Sequence, residues 1–264
     1  MTTKTLTATA LILCSTASFA QSETGSQPEL KNGYNHIKIE AGTGSGVVED
    51  EELSGSEINY TSLSLKLGYE YHLRNDFRFQ VYLMNEASEF NRENENLNAP
   101  YFAFEARLGI LAPVMSTNSG FSLHVGSNYA FSTRFANWEM RNEVDGQFSS
   151  LSAHHLNAAV QVEFQKNRWR ASAGLSMPVI AYVYRSNDPS ITIENGEVSP
   201  LFENGEWVAP DNYLVPEASL KMGYKLTSYL ELSLNYNYDY LNSSVGASSR
   251  QVEHQIRLGA TLNF

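Results

Sequence analysis

The chain alternates. From Tyr34 to the last residue, apolar and polar side chains change places at every second position, and no segment carries the 3.6-residue spacing of an amphipathic helix. In "YTSLSLKLGYEYHL", Leu63, Leu65, Leu67, Tyr69 and Tyr71 alternate with Ser62, Ser64, Lys66, Gly68 and Glu70. In "YLELSLNYNYDYL", Leu230, Leu232, Leu234, Tyr236, Tyr238 and Tyr240 share one parity, and Glu231, Ser233, Asn235, Asn237 and Asp239 share the other. Successive side chains of a strand point to opposite faces, so these are strands with one apolar and one polar face.

Ten such segments follow one another, at 34–45, 58–73, 77–90, 100–112, 120–138, 150–165, 168–185, 213–226, 228–242 and 251–264. Most exceed the roughly 5–6 residues of a globular strand. They suit the roughly 9–11 residues of a tilted membrane-spanning strand with extensions beyond the bilayer. A soluble sandwich or lipocalin-like barrel alternates too, with its apolar face buried. Two features favour a wall that turns its apolar face to lipid. Charges keep almost wholly to one parity of each strand. Aromatics gather near strand ends on the apolar parity: Tyr71, Phe77, Phe121, Phe164, Trp169, Tyr224, Tyr229 and Phe264 at one end, and Phe90, Phe102, Phe135, Tyr213, Tyr238 and Tyr240 at the other.

Connections alternate in length. "RND", "QKNR", "TS" and the somewhat longer "PVMSTNSG" lie at one end. "GVVEDEELSGSE", "NRENENLN", "EMRNEVDGQFS", the long 186–212 segment and "SSVGASSR" lie at the other. This pattern predicts an all-β fold: a single antiparallel up-and-down transmembrane β-barrel of about ten strands, spanning 34–264, with short periplasmic turns and long outer loops. An even strand number puts both termini on the periplasmic side. The 186–212 loop repeats a unit, "ITIENGEV" at 191–198 and "LFENGEWV" at 201–208. Each places Asn-Gly between strand-forming residues, a hairpin signal. A small three-stranded meander is expected there, which would raise the strand count to twelve.

Residues 1–20 read as a secretory signal: Lys4, the apolar "LTATALIL", and Ser18 and Ala20 before Gln21. Residues 21–33 are then a periplasmic linker. Removing 1–20 removes the single cysteine, Cys14, and one of the 18 Lys and Arg residues, against 29 Asp and Glu. No disulfide or thiolate chemistry is expected, and an acidic chain is a poor nucleic-acid binder. No later apolar run approaches the ~18 residues of a membrane helix.

The signal, the ten segments and the terminal "LGATLNF" resemble a bacterial outer-membrane β-barrel of the small ten-stranded class, of opacity, adhesin or omptin size. The resemblance covers the whole mature chain and singles out no family within the class. It implies an outer-membrane location among lipid and lipopolysaccharide. It also implies that Leu258, Ala260, Leu262 and Phe264 form the signal read by the barrel-assembly machinery.

The polar parity must face the lumen, because Arg or Lys at the bilayer midplane costs about 2–4 kcal/mol. It carries Lys38, Lys66, Arg78, Arg107, Arg134, Arg170, Lys221, Lys225 and Arg257 against Glu40, Glu70, Glu86, Glu105, Glu163, Glu217, Glu231, Asp239 and Glu253, nine of each sign. Four segments share a base and, two residues on, a glycine: "KLG" at 66–68, "RLG" at 107–109, "KMG" at 221–223 and "RLG" at 257–259. Acids stacked above bases, with glycines making room for long side chains, predict a lumen filled by ion pairs. Ten strands enclose more room than a filled eight-stranded barrel and less than an open porin. A plugged structural or surface-interaction barrel is therefore expected, with a small porin as the alternative.

An omptin-like or lipid-modifying enzyme is the third reading. His155, inward by parity, and Asp239 would form its acid–histidine pair, with His154 beside them near the rim and His124 deeper. "HHLN" lacks the serine of the lipid-modifying enzymes' His-x-Ser pattern. No catalytic, cofactor or metal site is assigned. Glu49, Asp50, Glu51, Glu52 and Glu57 make an acidic loop, expected to be solvated, where a divalent cation is the one conceivable ligand.

Overall fold

The structure, a computed structural model, describes residues 34–51, 57–73, 75–138 except 93–96, 147–186, 193–194, 197–198 and 205–264. The expected signal and linker, 1–33, lie outside the described residues. Ten strands form a closed antiparallel ring: β1 (Tyr34–Asp50), β2 (Glu57–His72), β3 (Arg78–Arg92), β4 (Leu97–Ser116), β5 (Phe121–Trp138), β6 (Gln147–Lys166), β7 (Trp169–Ser186), β12 (Glu217–Lys225), β13 (Leu230–Ser243) and β14 (Ser249–Asn263). Each pairs with its neighbour in the chain. The pairing of β1 with β14, from His36↔Asn263 to Asp50↔Ser249, closes the ring. Asn35 and Phe264 exchange backbone hydrogen bonds of 2.8 and 3.0 Å at the seam. Closure leaves the wall no edge with unpaired N–H and C=O groups, the condition for crossing lipid with strands.

The fold is inside out relative to a soluble protein. Ile39, Leu65, Leu83, Leu108, Leu234, Ile256 and Leu258 are exposed on the outer face, while Glu70, Arg78, Arg107, Glu231 and Arg257 are buried within the ring. The outward histidines, His154 and His254, are each bonded to a tyrosine hydroxyl, Tyr129 at 2.6 Å and Tyr236 at 2.7 Å.

The short turns are local chemistry. At Asn167–Arg168 the chain reverses between β6 and β7 with Asn167 at φ 56°, a left-handed conformation that Asn tolerates better than most residues. In the β2–β3 turn, Asp76 takes φ 60° and its amide donates to Leu73 O at 3.0 Å. The fourth connection is shorter than expected. β4 continues through "PVMS" to Ser116, accommodating Pro113 by a register shift, and turns at Gly120, φ 90°.

The opposite end differs from expectation in three ways. First, β1 runs to Asp50, so "GVVED" belongs to the wall. Asp50 points inward to Arg185 and Ser149, and so is withdrawn from the solvated acidic cluster. Second, the long connection contributes β8 (Ile193–Glu194) and β9 (Glu197–Val198), antiparallel partners that pair only with each other among the described residues; both Asn-Gly turns of the expected meander fall at least partly outside those residues. Third, β10 (Glu206–Val208) pairs with β7, and β11 (Tyr213–Leu214) pairs with β13. The sheet therefore holds twelve strands, of which ten close the ring. Pro216, with no N–H to give, separates β11 from β12 and splits what the sequence reads as one strand.

The register makes a direct prediction. Thr43 and Ile256 are partners across the seam, and paired residues have Cα atoms about 4.5–5.5 Å apart, within disulfide reach. In a Cys14→Ser background, Thr43→Cys with Ile256→Cys is expected to cross-link the first and last strands on oxidation, seen as a shift in gel mobility. Thr43→Cys with Ala260→Cys, four residues out of register, is expected to stay uncrosslinked.

Candidate functional site

The inward side chains form tiers from the turn end to the loop end. At the turn end, β1 and β2 bring His36 opposite Glu70 and Tyr34 opposite His72. Glu70 accepts from Lys38 and His72 (both contacts short) and from Gln80 Nε2 at 3.1 Å. Beside them Glu163 joins β3 to β7: Arg78 reaches it at 2.6 Å and Arg170 at 3.0 Å. His124 Nε2 lies 2.8 Å from Asp76 Oδ2, and Arg78 Nε lies 3.3 Å from Asp76 Oδ1.

The next tier surrounds a cavity of about 200 Å³. Arg107 binds Glu217 through both guanidinium nitrogens, Nη1 to Oε2 at 2.6 Å, and its Nη2 lies 2.7 Å from Glu105. That bidentate pair spans the lumen from β4 to β12. Lys66 lies 3.8 Å above the Tyr82 ring and Arg107 lies 5.1 Å from it, so one aromatic face system serves two cations. Lys221 lies 3.4 Å from Glu231, and Arg257 Nε lies 3.6 Å from Glu40. Two glycines of the repeated pattern make space for these acids. A Cβ on Gly223 would stand 2.6 Å from the Glu231 carboxylate, and one on Gly259 would stand 3.0 Å from Glu40 Cγ.

Not every charge of the expected network is ion-paired. Glu253 accepts from Ser62 Oγ at 2.7 Å, and Glu86 accepts from Gln255 Nε2 at 3.0 Å. Glu217, Asp239 and Glu253 stand directly opposite one another on three consecutive strands, a row of like charge. Arg134 and Lys66 share a small cavity of about 40 Å³ with Glu86, Asp239 and Glu253.

The loop-end tier was not anticipated. There two apolar clusters flank the buried polar side chains Asp50, Ser149 and Gln251. Val48, Ile58, Tyr60, Phe90, Tyr101, Ala103 and Ala136 form one buried cluster, with Phe90 stacked on Tyr101 at 4.6 Å. Leu151, Val183, Val208, Tyr213, Val215, Leu241 and Val245 belong to a second. Gln251 links the first cluster to the charged tier below, donating to the hydroxyls of Tyr60 and, at 3.2 Å, Tyr101. Phe90 and Tyr213 are thus corrected from lipid-facing girdle to lumen. The signal was in the parity: Phe90 shares it with Arg78 and Glu86, and Tyr213 shares it with Glu217. Arg185 and Asp50, also absent from the expected network, close this end. Arg185 bonds Asp50 and donates to Ala247 O at 2.8 Å, drawing in the β13–β14 loop whose Val245 is buried.

The expected acid–histidine pair does not form. His155 faces the lumen and donates from Nδ1 to Asn157 Oδ1 at 2.8 Å, and Asn157 Nδ2 donates in turn to Asn128 Oδ1 at 2.7 Å. Its ring lies against Tyr213, and no hydrogen bond or ion pair joins it to Asp239. His154 points outward. Leu258, Leu262 and Phe264 are exposed on the outer face of β14 and its end, with Ala260 half-buried between them.

No protein-family model matches the chain, and no curated protein matches its sequence. Solved structures do match its fold. The outer-membrane protease OmpT of Escherichia coli superposes with a TM-score of 0.54 at 9% identity, over 93% of this chain and all of that one. The translocator domain of the autotransporter NalP from Neisseria meningitidis gives 0.49 at 12% identity, over 98% and 96% of the two chains. The chain has the fold of outer-membrane β-barrels, and at these identities the likeness is one of fold alone.

Asp76, in the β2–β3 turn outside the spanning strands, gives a pH prediction. Burial would raise its carboxyl, but the His124 hydrogen bond and the Arg78 charge outweigh it and hold the group below its usual value. A carboxylate depressed in the fold stabilises it above the unfolded value of about 3.9, and that contribution is lost as pH falls through the folded value. Asp76→Asn is expected to lower the urea midpoint of the folded barrel at pH 7, with the difference from wild type vanishing as the pH falls through the depressed folded value. A difference constant from pH 7 to pH 2 would contradict this.

Proposed function

We propose that this chain is a plugged outer-membrane barrel whose wall is structural and whose long connections meet the cell's surroundings. The observation that carries the reading is the two-tier plug. Apolar clusters occupy the loop end of the lumen, and paired charges fill the region beneath them. A water-filled channel needs a continuous polar path, and the Tyr60–Phe90–Tyr101 group with the Val183–Tyr213–Leu241 group narrows the loop end, where the cavity that Asp50, Arg134, Ser149 and Gln251 also line is only about 20 Å³. The cavity of about 200 Å³ is small beside the roughly 300–1,000 Å³ of ligand sites, which weighs against a porin and against a substrate pocket.

In this reading the turn end and both termini face the periplasm, and the loop end faces out. The outer face of β14, with Leu258, Ala260, Leu262 and Phe264, is what the assembly machinery reads. Lipopolysaccharide and the divalent ions that bridge it meet the acidic residues left at the loop end, Glu49, Glu51 and Glu57, with Glu52 of the same run outside the described residues. The protease reading has less support, since His155 is bound to Asn157 beneath Tyr213 and away from Asp239.

Conductance decides between the plug and the pore. The refolded protein in a planar lipid bilayer is expected to give no stable single-channel steps. A Tyr60→Ala, Phe90→Ala, Tyr101→Ala triple variant is expected to give more frequent openings than wild type. Stable steps from the wild-type protein would overturn the reading.

A further inference from the structure

The turn-end tier holds a group of side chains that the plug does not require. His36, Glu70 and His72 are all buried, and one ligand atom from each lies within 4.8 Å of the other two. Among the described residues this is the one such group of three. The register sets it up: His36 and Glu70 are direct cross-strand partners, and His72 is two residues beyond Glu70 on the same face.

The surrounding contacts leave one atom of each residue facing its fellows. His36 Nδ1 is taken by Asn263 Oδ1, and His36 Nε2, on a ring only 4% exposed, has no hydrogen-bond partner. His72 Nδ1 lies 3.1 Å from Tyr34 OH and 3.8 Å from Asp76 Oδ1, which leaves Nε2 toward Glu70 Oε1. The other Glu70 oxygen, Oε2, is held by Lys38 and by Gln80 at 3.1 Å. His36, with Nδ1–H held by Asn263 Oδ1 and Nε2 free, is arranged as a metal-bound histidine is, where an outer partner fixes tautomer and ring orientation. An orphaned, buried imidazole nitrogen costs free energy unless something fills its lone pair.

We propose that His36 Nε2, His72 Nε2 and Glu70 Oε1 bind a first-row divalent transition-metal ion at the turn end of the lumen. Two imidazoles and a carboxylate form a three-ligand set that zinc accepts, with water in the remaining position. Binding opens the His72–Glu70 hydrogen bond: the proton on His72 Nε2 moves to Nδ1, which Tyr34 OH faces at 3.1 Å, so the imidazole stays neutral and its Nε2 lone pair turns to the metal. Tetrahedral ligand atoms about 2.0–2.2 Å from zinc stand about 3.4 Å apart, so the short His72–Glu70 contact opens as the ion enters between them. The ion would tie β1 to β2 beside the barrel seam, since Asn263, which orients His36, belongs to β14.

The test is a titration of the full chain, without an affinity tag, refolded in detergent micelles, with Zn²⁺ followed by calorimetry. One equivalent is expected to bind saturably. His36→Ala and His72→Ala are each expected to weaken binding by about tenfold or more. His254→Ala, on the outer face, is expected to leave it unchanged. A heat-dependent gel shift establishes that each variant is folded. Should either variant fail to fold, Co²⁺ added to the wild-type protein gives an independent readout, with intense visible bands expected for low-coordinate nitrogen and oxygen ligation. No saturable binding, binding unchanged in folded His36→Ala and His72→Ala, loss in His254→Ala, or a wild-type Co²⁺ spectrum like that of the aqueous ion would each overturn the proposal.

Discussion

Charge enclosed by an apolar wall must be paired, and the interior of this barrel is organised by that requirement. Lipid fixes the outer face as apolar, so the charged side chains in the middle of the strands, Lys66, Arg107, Glu70 and Arg257 among them, are driven to the inner one. There, removing one partner of a buried pair costs about 3–5 kcal/mol, because the survivor is left uncompensated. The contacts answer this both across the lumen and between neighbouring strands. Arg107 on β4 holds Glu217 on β12, and Arg78 on β3 holds Glu163 on β6, which Arg170 on the adjacent β7 also holds. The Arg107–Glu217 and Arg78–Glu163 pairs are struts between strands that do not pair with each other.

The loop end solves a different problem. Water reaches it, so charge there would not need pairing, yet a polar filling would leave a path into the lumen. Aromatic and aliphatic side chains fill it instead, and Tyr60, Tyr101 and Gln251 form the join, with hydroxyls turned to the amide below. A tyrosine suits such a boundary because its ring packs with apolar groups while its hydroxyl still finds a polar partner.

Much of this was legible in the chain. Alternation gave the strands, and the parity of Lys66, Glu70, Arg107 and Arg257 gave the direction of every charge that was assigned. What escaped came from three sources. Parity was followed only where it was polar, so Ile58, Tyr60, Phe90 and Tyr213 were missed although they continue the inward series. Alternation alone ends the first strand at residue 45 and leaves Asp50 in a loop, because the partner that holds Asp50 inward, Arg185, lies on a distant strand. Partners across the lumen, such as Arg107 with Glu217, are set by barrel closure and shear, which no local pattern encodes. The His36–Glu70–His72 group belongs to this last kind, for it exists only once β1 and β2 are in register.

The central claim, that paired charge across the lumen holds the wall, is tested most directly by a double-mutant cycle at Arg107 and Glu217 measured by urea unfolding in lipid vesicles. The account predicts that Arg107→Met alone is strongly destabilising, that Arg107→Met with Glu217→Met recovers much of the loss, and that the coupling energy is about 2 kcal/mol. Additive effects, with coupling near zero, would contradict it.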